Sequence, residues 1–196
     1  AAAVIPARYE SSRFPGKALA PILGKPLIQW VYEGVRQAKR VKHVVVATDD
    51  ERISQRAKEF GAEIMMTSPL HRSGTERVAE AAQHLSCPLI INVQGDEPLV
   101  NGEMVDALVE ALQNPRLSMV SLMARVFDLG LLSDPHVVKV TTDRQGNALY
   151  FSRSPLPYQA GDFFYQHVGI YGYQKNFLVK FSGLEPSRLE QTERLE

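Results

Sequence analysis

The sequence predicts an α/β fold with a Rossmann-like, mainly parallel mixed sheet flanked by helices. In the first half of the 196-residue chain, short apolar segments alternate with amphipathic helical ones, which is the pattern of βαβ units. In the second half, β-rich segments follow one another with little helix between them, which favours an antiparallel edge or a small β-rich lobe. With 44% hydrophobic residues, the chain has enough apolar material for one compact domain.

Each element is predicted from a local pattern. In the first half, apolar runs predict strands over residues 2–6, 43–48, 63–66 and 89–94. Apolar residues at helical spacing predict helices over residues 27–38 and 53–60, and two more helices should span residues 73–85 and 102–113. Later strands are expected over residues 118–126, 137–142, 148–152 and 167–173. A charged helical pattern over residues 187–196 lacks a stop signal, so we expect a C-terminal part to be missing.

The composition excludes several functional classes. The 22 basic and 22 acidic residues cancel, so no global field would draw the protein to nucleic acid or to anionic membranes. Cys87 is the only cysteine, which excludes an intrachain disulfide. No apolar run reaches about 18 residues, and the start lacks the features of a signal peptide. We expect a cytoplasmic protein without nucleic-acid or membrane partners.

A basic loop follows the first predicted strand. After Ala7 it carries three cations, Arg8, Arg13 and Lys17. Ligands of open α/β sheets bind beyond the carboxyl ends of the strands, so this loop suits a polyphosphate. It is neither a P-loop nor a dinucleotide fingerprint, because the Gly-Lys-Ser/Thr ending and the three spaced glycines are absent. The alternative interpretation is an ordinary solvated surface loop.

A carboxylate follows the strand predicted over residues 89–94. Asp96 comes after Gln94 and the flexible Gly95, with Glu97 beside it. Magnesium takes oxygen ligands, and usually only one or two of them from protein, so Asp96 could hold Mg²⁺ against phosphate oxygens. The alternative is a turn in which Asp96 and Glu97 simply end the strand.

Two further regions carry polar side chains that suit a ligand. Ser73 could cap a helix, with Glu76 completing a capping box, or the same helix start could bind an anion through its N–H groups. Residues 150–154 and 166–173 combine aromatic rings with isolated cations. An arginine fork such as that of Arg153 suits a carboxylate, and His167 or Tyr171 could address sugar hydroxyls. The alternative for the second region is a sheet face with an exposed arginine and a satisfied histidine.

Together these segments resemble the 3-deoxy-manno-octulosonate cytidylyltransferase (CMP-Kdo synthetase) family along essentially the whole chain. The motifs occur in order: Ile-Pro-Ala-Arg at 5–8, Ser-Arg-Phe-Pro-Gly-Lys at 12–17, Ala-Thr-Asp at 47–49, Ser-Gly-Thr-Glu-Arg at 73–77, Gln-Gly-Asp-Glu-Pro at 94–98, Tyr-Phe-Ser-Arg at 150–153 and the segment 167–173. The resemblance implies a nucleotidyltransferase-type fold, CTP and Kdo as substrates, Mg²⁺ as cofactor and a homodimer. It also implies one nucleotidyltransferase domain over residues 1–196, with nucleotide binding in roughly 1–115 and sugar binding and dimerisation in 116–196.

The resemblance further implies roles for individual residues. Arg8, Lys17 and Asp96 would be catalytic, with the two cations on the triphosphate and Asp96 on magnesium. The nucleotide-binding residues would be Ala7, Arg8, Arg13, Lys17, Arg72, Ser73 and Gln94, of which the last three would lie near the cytosine ring. The sugar acid would be faced by Arg153, His167 and Tyr171.

The implied function is the activation of Kdo for lipopolysaccharide or capsule synthesis. The sequence departs from the family in two ways: the C-terminal part that supplies a second metal-binding aspartate is absent, and the loop over residues 157–166 is shorter. Two alternatives remain. One is a CMP-sialic acid synthetase, which also couples CTP to a carboxylated keto sugar, and the other is a non-catalytic nucleotide-sugar sensor. The Tyr-Phe-Ser-Arg segment at 150–153 and the His-Val-Gly-Ile-Tyr segment at 167–171 favour Kdo.

Overall fold

The computed structural model describes residues 1–10 and 14–195. In chain order the strands are β1 (Ala2–Ala7), β2 (Pro21–Ile22), β3 (Lys25–Pro26), β4 (His43–Thr48), β5 (Glu63–Met66), β6 (Leu89–Val93), β7 (Met119–Val126), β8 (Lys139–Thr142), β9 (Ala148–Ser152) and β10 (Phe164–Gln174). The α-helices are α1 (Leu27–Val35), α2 (Glu51–Glu59), α3 (Gly74–Gln83), α4 (Gly102–Ala111), α5 (Lys175–Phe181) and α6 (Arg188–Glu193). Short 3-10 helices cover Lys17–Leu19 and Leu129–Ser133.

The chain forms two compact units. Unit 1 comprises Ala1–Val120 and Gly169–Leu184, and unit 2 comprises Ser121–Val168 and Glu185–Glu196. Unit 1 contains a sheet in the order β5-β4-β1-β6, in which neighbouring strands are parallel. Residues 170–174 of β10 pair with β6 in the antiparallel direction. The predicted mixed, mainly parallel α/β sheet is therefore confirmed.

Strand β1 lies at the centre of the parallel sheet because its whole length is apolar. All six of its residues are buried, as is typical of a parallel strand that is covered on both faces. Ala2 aligns with His43 on one side and with Ile90 on the other. The core on one side of this sheet joins β1, β4 and β6 to α3 and α5, through residues that include Val78, Ala82 and Leu178.

Unit 2 is the β-rich part that the second half of the sequence predicts. Strands β8 and β9 are antiparallel, with Val140 opposite Phe151, and their register is irregular after Thr141. Gln166 of β10 pairs with Lys139 of β8, and β7 pairs with β10. A turn over residues 143–147 joins β8 and β9.

One predicted helix ends elsewhere in the structure, and one helix was missed. Helix α1 ends at Val35 rather than at residue 38, because the N–H groups of Gln37 and Ala38 bond to carbonyls three residues back and tighten the chain into a turn. Helix α5 was not predicted. The described helices have at most ten residues, and none combines the length and apolarity that a membrane span requires.

Candidate active site

The residues predicted to bind a nucleotide follow the carboxyl ends of neighbouring strands in unit 1. Ala7 at the end of β1 aligns with Thr48 at the end of β4. On the other side of β1, the parallel strand β6 ends at Val93. The segments after these strands therefore emerge at one edge of the sheet, which is where open α/β sheets bind their ligands. We call it the carboxyl edge.

Lys17 and Asp96 meet at the carboxyl edge. Lys17 Nζ lies 2.5 Å from Asp96 Oδ2, although 79 residues separate the two in the sequence. The side chains are 44% and 48% exposed, so a ligand can reach both. This contact makes the basic loop and the Asp96 segment neighbours, as their binding of one polyphosphate and its metal would require. It also shows that the Asp96 carboxylate is placed to hold a cation.

The loop that carries Lys17 is closed at its base by Tyr9 and Gly16. The Gly16 N–H donates to Tyr9 O at 2.7 Å, and the φ of 73° at Gly16 is a left-handed value that suits glycine. A Cβ at Gly16 would lie 3.2 Å from the Tyr9 ring. The Arg52 guanidinium carbon lies 3.3 Å from the centroid of the same ring. These contacts fix the loop end at which Lys17 begins a 3-10 helix.

The other predicted residues of this loop differ in what they can offer a ligand. Ala7 is the buried last residue of β1, so it can contribute only main-chain groups. Arg8 is exposed directly after β1, at the same edge as Lys17. Arg13 lies outside the described residues.

Two glycines allow the segments at the carboxyl edge to approach each other. A Cβ on Gly95 would lie 2.8 Å from Pro6 O, so a side chain there would push the Asp96 segment away from β1. A Cβ on Gly74 would lie 3.2 Å from Gln94 Oε1 and 3.4 Å from Pro6 Cγ. Gln94 is therefore close to both the end of β1 and the first residue of α3.

The start of α3 has a cap but lacks the predicted capping box. Ser73 Oγ accepts a hydrogen bond from the Glu76 N–H at 3.2 Å. The Glu76 carboxylate is instead directed to Arg72, accepting from its N–H at 2.8 Å and from its Nε at 2.9 Å. The Arg72 N–H also holds the pKa of Glu76 below its usual value. A nucleotide base bound at this helix start would share the Arg72 side chain, which is 66% exposed, with Glu76.

Asp96 is a better candidate metal ligand than Glu97. Burial raises the pKa of Glu97, and the charge of Asp96 raises it further, so Glu97 keeps its proton more readily. Within residues 1–10 and 14–195, no group of three or more His, Cys, Asp or Glu side chains could hold a metal. Magnesium usually takes one or two carboxylates and completes its shell with water and phosphate oxygens. The donor set therefore fits a magnesium ion shared with a nucleotide.

Sequence reasoning missed a charged pair near the carboxyl edge. Arg77 is buried, with Nη2 3.2 Å from Asp49 Oδ1 and Nη1 2.5 Å from Thr67 Oγ1. The contact with Asp49 is an ion pair without hydrogen-bond geometry, which leaves that buried oxygen without a directed partner among the described atoms. The pair ties the segment after β4 to α3. The available signal was the Ala-Thr-Asp motif at 47–49, because its aspartate follows a strand end as Asp96 does.

Arg153 lies in unit 2, directly after β9. Its guanidinium donates to three carbonyl oxygens: Nη1 to Pro135 at 2.8 Å, Nε to Glu193 at 2.9 Å and Nη2 to Arg194 at 3.2 Å. A sugar carboxylate would therefore use the remaining N–H positions of Arg153 or displace one of these carbonyls. Its predicted contact with the sugar acid stays a prediction.

The other two predicted sugar-site residues lie in different units. In unit 2, His167 Nε2 is 2.8 Å from Ser121 Oγ, and the Phe151 ring meets the imidazole edge-on at 4.8 Å. Burial lowers the pKa of His167 to about 4, so the imidazole is neutral at pH 7. In unit 1, Tyr171 of β10 aligns with Asn92 of β6 and packs against the core of that unit.

Comparison with known proteins identifies the family. The cytidylyltransferase family profile matches residues 2–196. A 3-deoxy-manno-octulosonate cytidylyltransferase from Pelobacter propionicus is 50% identical over 209 residues, covering 99% of this chain and 82% of the relative. The Geobacter sulfurreducens protein of the same name is 47% identical, covering 99% and 84%. A solved structure of CMP:2-keto-3-deoxy-manno-octonic acid synthetase complexed with CTP has a TM-score of 0.92 and 41% identity, covering 99% of this chain and 82% of that one. This chain therefore belongs to the cytidylyltransferase family.

Proposed function

We propose that this protein transfers the cytidylyl group of CTP to Kdo and so forms CMP-Kdo and pyrophosphate. This chain is 50% identical to a 3-deoxy-manno-octulosonate cytidylyltransferase, and it pairs Lys17 with Asp96 at its carboxyl edge. That combination is the observation that supports the proposal. A related protein, 41% identical, has been solved with CTP. Both substrates, and the enzymatic activity of the protein, are inferred from these relatives.

The nucleotide half of the proposal assigns the triphosphate to the carboxyl edge of unit 1. Lys17 and the exposed Arg8 would neutralise phosphate oxygens, and Gln94 with the start of α3 would lie near the cytosine ring. Helix N-termini and cationic side chains both favour anions, so the same edge can hold the charge of a triphosphate. In the structure, Lys17 Nζ donates to Asp96 Oδ2.

The reaction needs no protein nucleophile. The anomeric hydroxyl of Kdo, on the carbon that bears its carboxylate, attacks the α-phosphorus of CTP. One oxygen–phosphorus bond forms, the bond from the α-phosphorus to the bridging oxygen breaks, pyrophosphate leaves with that oxygen, and the proton of the hydroxyl passes to solvent. Such transfers are catalysed mainly by positioning and by neutralising charge on phosphate oxygens. Lys17 would neutralise part of that charge, because its ammonium group lies at the carboxyl edge.

We also propose that Asp96 holds Mg²⁺ together with the nucleotide. The Asp96 carboxylate is exposed and already pairs with the Lys17 ammonium group, which supports this assignment. Glu97, by contrast, is partly buried, and that burial raises its pKa. Bound magnesium would supply further positive charge to the phosphate oxygens. Lys17 would then exchange Asp96 for a phosphate oxygen when CTP and the metal bind together.

The sugar half of the proposal assigns the Kdo carboxylate to Arg153. Its planar fork suits a carboxylate, and the neutral His167 can share a hydrogen bond with a sugar hydroxyl. A homodimer and a cytoplasmic location complete the proposal. Exposed apolar side chains of unit 2 support a dimer, since such surface commonly marks an interface: Met123, Phe127, Leu129 and Leu131.

The test is pyrophosphate release from CTP, measured with Kdo or with sialic acid and with or without Mg²⁺. We expect release that requires both Kdo and the metal. A CMP-sialic acid synthetase would respond to sialic acid instead, and a non-catalytic sensor would bind CTP without releasing pyrophosphate with either acid. Analytical ultracentrifugation of the same preparation checks the dimer, which a sedimenting monomer at micromolar concentration would contradict.

A further inference from the structure

The main chain of Arg153 is held by two charged side chains within unit 2. Ser152 still pairs with Lys139 in the ladder between β9 and β8, but Arg153 lies beyond the end of β9. Its N–H donates to Glu193 Oε2 at 2.9 Å, and its carbonyl accepts from Lys139 Nζ at 2.7 Å. A carboxylate and an ammonium group thus replace the partners that a longer ladder would have provided.

The Glu193 carboxylate collects three hydrogen bonds from this one segment. Oε1 accepts from Tyr150 Oη at 3.0 Å and from Ser152 Oγ at 2.9 Å, while Oε2 accepts from the Arg153 N–H. The Arg153 N–H is the largest cause that lowers the pKa of Glu193, so the carboxylate is charged at neutral pH. Three of the four residues in the Tyr-Phe-Ser-Arg motif therefore converge on a single side chain of α6.

The side chain of Arg153 is directed to the same helix. Its Nε and Nη2 donate to the carbonyls of Glu193 and Arg194, at 2.9 Å and 3.2 Å. These carbonyls belong to the last residue of α6 and to its C-cap, and an arginine side chain can satisfy such carbonyls. Helix α6 has no buried residue, so it contacts this segment and adds no side chain to the core of unit 2.

We propose that Glu193 is a positioning residue for the sugar acid, acting through Arg153. Glu193 fixes the main chain from which the Arg153 fork extends, and with it the hydroxyls of Tyr150 and Ser152. Glu193 itself does not contact the substrate. This inference rests on the proposed function, because it takes Arg153 to bind the carboxylate of Kdo.

The test compares two glutamates of the same helix. Glu193→Ala removes the three acceptors, whereas Glu190→Ala removes the capping box that Glu190 makes with Ser187 at the other end of α6. Loss of hydrogen bonds to a charged group should raise the KM for Kdo about ten-fold or more in Glu193→Ala, with the KM for CTP changed less than about two-fold. Glu193→Gln keeps one acceptor oxygen and should fall between wild type and Glu193→Ala. Glu190→Ala should leave both KM values near those of the wild type.

A double mutant tests whether Glu193 acts through Arg153. If it does, adding Glu193→Ala to Arg153→Lys should raise the KM for Kdo little beyond the effect of Arg153→Lys alone. The Arg153 amide should also exchange its hydrogen faster in Glu193→Ala than in wild type. Additive effects, an unchanged exchange rate, equal changes for both substrates, or the same result in Glu190→Ala would each overturn the role of Glu193. A wild-type protein without Kdo-dependent pyrophosphate release would instead overturn the proposed function, so the two failures are distinguishable.

Discussion

The ion pair between Lys17 and Asp96 allows a sharp test of the proposed chemistry. We expect Lys17→Met, which roughly keeps the volume of the stem, to lower kcat by about 10²–10³, because the ammonium group would stabilise charge developing on the α-phosphate. That loss corresponds to about 2.7–4 kcal/mol in the transition state. The cost in folding stability should be much smaller: both side chains are nearly half exposed, and such pairs contribute about 0–1 kcal/mol.

The assay is single-turnover kinetics at saturating CTP and Kdo, with urea unfolding measured on the same protein. Lys25→Met is the matched control, because Lys25 Nζ lies 2.7 Å from Glu33 Oε2 and both side chains are 40% exposed. Both variants should change stability by a similar small amount, but only Lys17→Met should lose chemical rate. An unchanged rate in folded Lys17→Met would remove Lys17 from the mechanism. An equal loss in Lys25→Met would show that overall charge, rather than the position of Lys17, matters.

Three further predictions follow from the remaining assignments. Asp96→Asn should largely abolish turnover and keep the fold, and near-wild-type activity at limiting Mg²⁺ would contradict a metal-binding role. Arg153→Lys keeps the charge but loses the fork, so it should raise the KM for Kdo much more than the KM for CTP; equal effects would count against carboxylate recognition. For His167, the pKa is about 4 in the folded state against 6.5 when unfolded, so between these values the unfolded state binds a proton that the folded state excludes. Lowering the pH from about 7 to about 5.5 should therefore reduce the free energy of unfolding by roughly 1 kcal/mol through this group. His167→Gln should lack that component in urea titrations, and an identical pH dependence in the variant would refute the assignment.

Sequence patterns predicted the strands better than the helices, for a physical reason. Strands β4 and β5 have the predicted bounds, because each is a short run with apolar residues between polar ones. Strand β4 is buried after His43, as is typical inside a parallel sheet, whereas β5 is a partly exposed edge strand. Helix α5 has only seven residues, a single buried one in Leu178, and no side-chain cap at Gln174. It therefore lacks a start signal, and its core-facing residues Phe177, Leu178 and Phe181 span little more than one turn. Its contacts with α3 exist only in the folded chain.

The candidate site was predictable where its residues follow strand ends. The rule that ligands bind beyond the carboxyl ends of parallel strands was enough to bring Lys17 and Asp96 into one region. Their direct contact depends on the close approach of the Asp96 segment to β1, which Gly95 permits and which no local pattern reveals. In the same way, Glu193 lies 40 residues from Arg153, and the charge pattern of α6 does not indicate which of its glutamates faces β9.

The most direct test of the proposed reaction follows the phosphorus atoms of CTP. With Kdo and Mg²⁺ present, label at the α-phosphate of CTP should appear in a product that also contains the sugar acid, and label at the γ-phosphate should appear only in pyrophosphate. This result would establish that the α-phosphorus is transferred to Kdo with release of pyrophosphate. Transfer of the γ-label to the sugar acid, or consumption of CTP that does not depend on Kdo, would contradict the account.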